Sequence, residues 1–306
     1  MRELDGARVL VTGGSGFIGR SLVTALLAGG AEVVVADLVE YPDDAVECVT
    51  GDLCEPEVRR KAVSSGLDAV VHLAAVTSVL RSVTDPAGTH RLNVEATADL
   101  LELSREQEVP SFVLASTNAV TGDVGTTPIN EDLAPRPLTP YGATKAAGEM
   151  LLNAYAASYG MRACALRFAN VYGPGMRHKD SLVPRLMRAA AGGTGVQVYG
   201  DGTQLRDYVH VGDVVQAVLL ALRTGHTGPL VVGSGRSVSV NDLIEAARQV
   251  TGRPIPVEQV PAKQGEMPAV VLDISRARAL GYRPRHDLPD GMADVWPEFA
   301  EGEVVV

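Results

Sequence analysis

The stretch TPYGATKAAGEM, residues 139–150, sets Tyr141 four positions ahead of Lys145. On a helix these two share a face, one turn apart. An ammonium beside a phenol favours the phenolate and lowers its pKa. Tyrosine then becomes usable as a base near neutral pH, which an isolated phenol is not. A second polar feature interrupts an apolar run in LASTNAVTGDVG, residues 114–125. There Ser116 and Thr117 place two hydroxyls where a buried strand should end, and either could orient a reacting group.

The segment VTGGSGFIG, residues 11–19, has glycines at Gly13, Gly16 and Gly19, with Phe17 and Ile18 between the last two. It follows a strand and opens a helix, the context of a dinucleotide fingerprint, although its GxxGxxG spacing differs from the general GxGxxG. Glycines let backbone approach a pyrophosphate, and a helix N-terminus offers free N–H groups and a positive dipole end. Asp37 ends the next apolar run, VVVADL, where a carboxylate accepts bonds from ribose hydroxyls and repels a 2′-phosphate. NAD is therefore favoured over NADP. Asp52, beside Leu53 in GDL, is a second contact near the adenine. A positively charged nicotinamide would lower the Tyr141 pKa further.

These groups need a frame. ARVLVTG, AEVVVAD, VECVTGD, LDAVVHLAA, SFVLAST and MRACALRFAN read as strands, nearly continuous in apolar residues, as strands buried on both faces are. Residues 17–30, 86–106 and 141–159 read as helices. Strand and helix in alternation predict an α/β fold, a doubly wound parallel sheet of Rossmann type. After residue 170 the pattern loosens into Gly- and Pro-rich turns with shorter elements, including the helices VVQAVLLAL and VNDLIEAARQV. The expectation is an NAD-binding domain over residues 1–170 and a smaller nucleotide-sugar-binding region over 171–306, interleaved, with late segments returning to the sheet.

Together, the glycine loop and the Tyr–Lys pair resemble the short-chain dehydrogenase/reductase superfamily, and the length and TGxxGxxG loop resemble its extended branch of nucleotide-sugar epimerases and dehydratases. HLAA (residues 72–75), LNVEATADLLE, LRFANVYGPG (166–175) and DGTQLRDYVHVGDV (201–214) are similar to that branch's motifs and stand in its order. The resemblance implies that Tyr141 is the base, Lys145 its partner and Thr117, rather than Ser116, the hydroxyl on the reacting sugar. It implies that Leu73, Ala74, Ala75, Asn93, Ala115 and Phe168 line the cofactor. Asn170 and Arg206 would hold a diphosphate, with the charge complement a phosphate needs. Gln197 and Tyr199 would flank the base, and Leu182 and Val183 would enclose the nucleotide. Arg177 is a candidate for a sugar carboxylate. Where many relatives carry Arg-x-Gly-Asp near the ribose and phosphate, this chain has Lys263, Gln264, Gly265 and Glu266. Charge is kept but the bidentate fork is not.

Family dehydratases carry an Asp-Glu pair just after the catalytic Thr, and decarboxylating relatives carry a Glu at the second position. Here those positions are Asn118 and Ala119, which transfer no proton. The usual tyrosine further on is Thr121. One hydroxyl with Tyr and Lys suffices for 4-epimerisation of an NDP-sugar, UDP-hexose or UDP-hexuronic acid foremost, through a 4-keto sugar with NAD retained. Net oxidation or reduction, dehydration, and a non-catalytic nucleotide sensor are the alternatives. The resemblance also implies a homodimer built on the 86–106 and 141–159 helices.

A formal charge of −10 argues against general binding to nucleic acid or anionic membrane, which needs clustered Lys and Arg. Cys48, Cys54 and Cys164 lack disulfide-like or metal-like spacing, and no metal site is expected. No apolar run approaches the ~18 residues of a membrane helix. A cytoplasmic protein is the expectation.

Overall fold

The computed structural model describes residues 4–262 and 267–300. Seven parallel strands form the central sheet. In chain order they begin β1 (Arg8–Thr12), β2 (Glu32–Asp37), β3 (Glu47–Thr50), β4 (Ala69–His72), β5 (Ser111–Thr117) and β6 (Arg162–Phe168). Next come β7 (Asn170–Tyr172), β8 (Val196–Tyr199) and β9 (Leu205–His210), which lie outside it. The seventh sheet strand is β10 (Gly228–Val232), and the spatial order is β10-β6-β5-β4-β1-β2-β3.

Alternation along each strand sends side chains to two separate cores. Val9, Val11, Val33 and Val35 face one, and Leu10, Val34, Phe112 and Leu114 face the other. The first is covered by α1 (Phe17–Ala28), whose Leu22 and Leu26 are fully buried, each contributing about 2 kcal/mol. The opposite face carries α2 (Pro56–Ala62), α5 (Ala96–Glu106) and α6 (Pro140–Tyr159), with α3 (Val79–Thr84) and α4 (Pro86–His90) packed on α6. Residues 86–106, expected as one helix, are α4 and α5 joined by a π-helical turn at Arg91–Glu95.

The C-terminal region has its own apolar cluster. It is built from α7 (Leu182–Gly192) and, after α8 (Val211–Thr224), from α9 (Val240–Thr251), with Tyr172, Met176 and Phe299 between them. Two small sheets stand there, β7 with β9 and β11 (Ser237–Ser239), and β8 with β12 (Val257–Val260). Yet α8 packs against α1 on the first core, and β10 pairs with β6 along five residues. Chain from beyond residue 170 therefore completes the main sheet. No helix among the described residues is long and apolar enough to cross a membrane.

Candidate active site

In a doubly wound sheet the crevice opens where the strand order reverses, here between β1 and β4 at their carboxyl ends. The glycine loop crosses that point. Gly13 has φ +71°, and a Cβ there would stand 2.8 Å from the Ala74 backbone nitrogen. A Cβ on Gly19 would overlap the Gly13 carbonyl, so the helix packs on the loop only with glycine at that position. Gly16 is the N-cap of α1 and brings no side chain to the cap, which leaves the first-turn N–H groups without a capping side chain. Asp37 ends β2. Its Oδ2 accepts the Ser15 N–H at 3.0 Å and its Oδ1 the Val39 N–H at 3.1 Å, so carboxylate and glycine loop form one unit. Asp52 is exposed, and its Oδ1 accepts the Cys54 N–H at 2.8 Å; Leu53 beside it is buried. A backbone cradle that a Cβ would fill, an uncapped helix start and a strand-end carboxylate fit a dinucleotide.

Leu73, Ala74 and Ala75 leave β4 half-buried along the crevice. Below them His72 bonds Thr12 Oγ1 at 2.6 Å and Thr97 Oγ1 at 3.0 Å. Full burial lowers its pKa to about 3, so it is a neutral brace. Asn93, expected on the cofactor, spends its amide on the protein. Its Oδ1 takes the Val76 N–H at 2.8 Å, and its Nδ2 donates to Val76 O at 3.0 Å and Thr144 Oγ1 at 3.1 Å. It ties the loop after β4 to α6. Phe17 packs on the third cluster and Ile18 on the first core.

The candidate reaction centre follows from how α6 begins. Thr139 Oγ1 caps the helix by accepting the Gly142 N–H at 3.2 Å, and Pro140 at the first turn has a suitable fixed φ. A Cβ on Gly142 would meet Ala119 O at 2.8 Å, so glycine there lets the helix start close on the turn after β5. That brings Tyr141 beside Thr117, whose hydroxyl acts on the phenol. Lys145, 3% exposed, sits one turn below. The Tyr141 pKa is nevertheless raised, to about 12: burial outweighs the pull of Thr117. Burial likewise lowers Lys145 to about 8, against an opposing effect from Glu149. The expected lowering of the phenol is thus not a property of the protein by itself; it requires positive charge brought in.

Alternation along β5 separates the two hydroxyls. Ser116 turns to the α6 face, where it donates to Glu149 Oε1 at 2.5 Å, while Thr117 ends the strand and accepts the Ala119 N–H at 3.2 Å. Ala115 is half-buried, and Phe168 lies opposite Thr117 in register, 6% exposed in the first core. Asn118 Oδ1 stands 3.5 Å from Thr117 Oγ1. Thr121 is buried and donates to Asn118 O at 2.8 Å, so a small hydroxyl closes this turn where relatives carry a ring.

The candidates for the nucleotide are spread over the C-terminal region. Asn170 on β7 is exposed; Arg206 lies on the adjacent β9 and donates to Leu205 O at 2.8 Å. Arg177 is exposed, its carbonyl taken by Arg188. Gln197 donates to Glu258 at 3.0 Å, and the Tyr199 carbonyl accepts Gln204. Leu182 is half-buried at the start of α7, whereas Val183 is 1% exposed inside the third cluster, where it packs. Lys263 and Glu266 lie outside the described residues. His210, His286 and Asp294 form a group of possible ligands in the same region. His210 Nδ1 accepts the Gly212 N–H at 3.2 Å, which places the proton on Nε2 and leaves no lone pair there for an ion.

Sequence reasoning missed Glu149, Arg167 and Gly142. Two charged residues inside apolar runs, and a glycine directly after the tyrosine, were the available signals.

A family model described as the NAD dependent epimerase/dehydratase family matches residues 9–233. A UDP-glucose 4-epimerase of Thermus thermophilus, solved with NAD, superimposes with a TM-score of 0.90 at 34% identity, covering 97% of this chain and 100% of that one. MoeE5, solved with UDP-glucuronic acid and NAD, gives 0.87 at 38% identity, covering 95% and 99%. A dTDP-glucose 4,6-dehydratase of Streptomyces griseus is 35% identical over 93% of this chain and 92% of its own. With a Rossmann-type sheet, a glycine cradle and a Thr–Tyr–Lys centre in one frame, this chain belongs to the NAD dependent epimerase/dehydratase family.

Proposed function

We propose that this chain is an NAD-dependent 4-epimerase of a UDP-sugar, a hexose or a hexuronic acid. One observation carries the choice within the family. The turn after Thr117 presents Asn118 and Ala119 beside the Thr117–Tyr141 contact, so the hydroxyl pair stands there without an acid to expel water or carbon dioxide.

Tyr141 takes the proton from the sugar O4, and Thr117 orients that oxygen. Burial alone holds the phenol near 12, so the phenolate forms only with cations at hand. Lys145 supplies one, and the oxidised nicotinamide ring carries the other. NAD, when bound, supplies the acceptor and later donor of hydride at C4. Thr117 and Tyr141 then serve the 4-keto sugar in either of two orientations, and the proton returns from Tyr141 to O4. Asn170 and Arg206 are assigned to the diphosphate, Gln197 and Tyr199 to the base, and Arg177 to a C6 carboxylate where the sugar has one.

Two copies would pair on the 86–106 and 141–159 helices; exposed Met150 and Tyr159 on α6, with Leu80 and Val83 on α3 packed against it, support that pairing. The placement in the cytoplasm stays part of this proposal. The test is incubation with a panel of UDP-hexoses and UDP-hexuronic acids, followed by NMR of the product. C4 inversion without added NAD is expected; no inversion with any UDP-sugar sinks the assignment.

A further inference from the structure

Beneath the reaction centre lies a group of buried charges with no role in the scheme above. Glu149 stands on α6, one turn after Lys145 and two after Tyr141, and is 4% exposed. Its Oε1 accepts the Ser116 hydroxyl at 2.5 Å. Arg167 Nε lies 3.1 Å from each of its oxygens, and Nη2 lies 2.8 Å from Oε2. Ser116 and Arg167 are each 3% exposed and come from the neighbouring strands β5 and β6. A carboxylate at i+4 would ordinarily reach back to a lysine at i. Here its oxygens are committed to the sheet, and it acts on Lys145 through space.

The other titratable groups around Lys145 carry no opposing charge. His72, from β4, is neutral. Tyr141 is a neutral phenol in the free protein, and the Cys164 thiol on β6, which feels Glu149, is pushed up to about 12. Glu149 is therefore the one anion among the described residues that favours the ammonium.

We propose that Glu149 is a positioning residue for this site: Arg167 and Ser116 clamp its carboxylate below Lys145, where it keeps Lys145 charged and leaves it free to point toward Tyr141 and the cofactor. This rests on Lys145 serving NAD and Tyr141 as described above. The clamp is the essential part. A carboxylate free to move would pair with Lys145 directly and draw it from the centre.

The test is NAD affinity by calorimetry from pH 6 to pH 10 on the NAD-stripped full chain, with epimerisation rates over the same range. Affinity of the unaltered protein should fall as pH rises through about 8, as Lys145 loses its proton. Glu149→Gln should move that midpoint down by about one unit or more. For a shift of about one unit, affinity and rate at pH 7.5 then fall about threefold, approaching tenfold near pH 9, while at pH 6 both stay almost unchanged. Glu149→Gln leaves Arg167 buried and unpaired, which can prevent folding. The double change Glu149→Leu with Arg167→Met leaves no unpaired charge from this couple; because it also removes the Arg167 cation, its downward shift should be smaller than that of Glu149→Gln but still present. A midpoint that stays put in a folded variant overturns the proposal and leaves Glu149 a packing role. A pH-independent NAD affinity in the unaltered protein overturns it as well. Failure to epimerise any UDP-sugar, with the NAD midpoint shift intact, defeats the epimerase assignment and leaves the role of Glu149 standing.

Discussion

The cofactor half and the nucleotide half of the cleft are built differently. In the first, Asp37 is bonded to the glycine loop, Tyr141 stands beside Thr117, and Lys145 is buried over a clamped Glu149. In the second, Asn170, Arg177 and Gln197 are exposed, on separate elements. One half is set before anything binds; the other presents groups that a ligand must draw together. Preorganised groups act chiefly on the chemical step, while gathered groups act on binding. Substitutions should divide the same way.

The largest effect is expected from Tyr141→Phe. Loss of the base should lower kcat by roughly 10³-fold with bound NAD and melting temperature nearly unchanged; a variant with near-normal turnover would break the comparison at its centre. Gly13→Val comes next. At φ +71° and 2.8 Å from the Ala74 backbone it should abolish NAD retention and cost several kcal/mol, about 3 or more, in chemical denaturation. Arg206→Ala should raise KM by roughly 10- to 100-fold and leave kcat within a few-fold, since a charge-assisted phosphate contact is worth about 1.5–3 kcal/mol. An equal fall in kcat would place Arg206 with the preorganised half. Gln197→Ala, which releases an exposed bond to Glu258 and one edge of the base site, should change KM by no more than about threefold.

Much of this was open to inspection in the chain itself. Strand runs such as ARVLVTG and FVLAST, the glycine loop, Asp37 and the Tyr–Lys spacing are local patterns, and local patterns survive without a fold. GPLVV at Gly228–Val232 is too short and too far along to announce that it borders β6. The pKa of Tyr141 shows the other limit. Sequence names Lys145 as a neighbour, but burial decides the sign, and burial depends on Gly142 closing α6 on Ala119. Asn93 is similar: its position was legible, whereas the use of its amide by Val76 belongs to the loop's path. Glu149 and Arg167 sit 18 residues apart, on helix and strand, and only packing makes them a pair.

The place of β10 has a consequence for how the protein can be divided. It closes one border of the sheet, and α8 just before it supplies Val214, Ala217 and Val218 to the core under α1. A chain cut near residue 170 would leave β6 as a bare, flat, apolar border and strip that core of its cover, a template for sticking to other copies. The fragment 1–170 should therefore precipitate when expressed alone, and the intact chain should unfold in a single calorimetric transition. Gene fusions or truncations of this protein would have to respect a unit that is discontinuous along the chain, with residues 211–232 belonging mechanically to the first half.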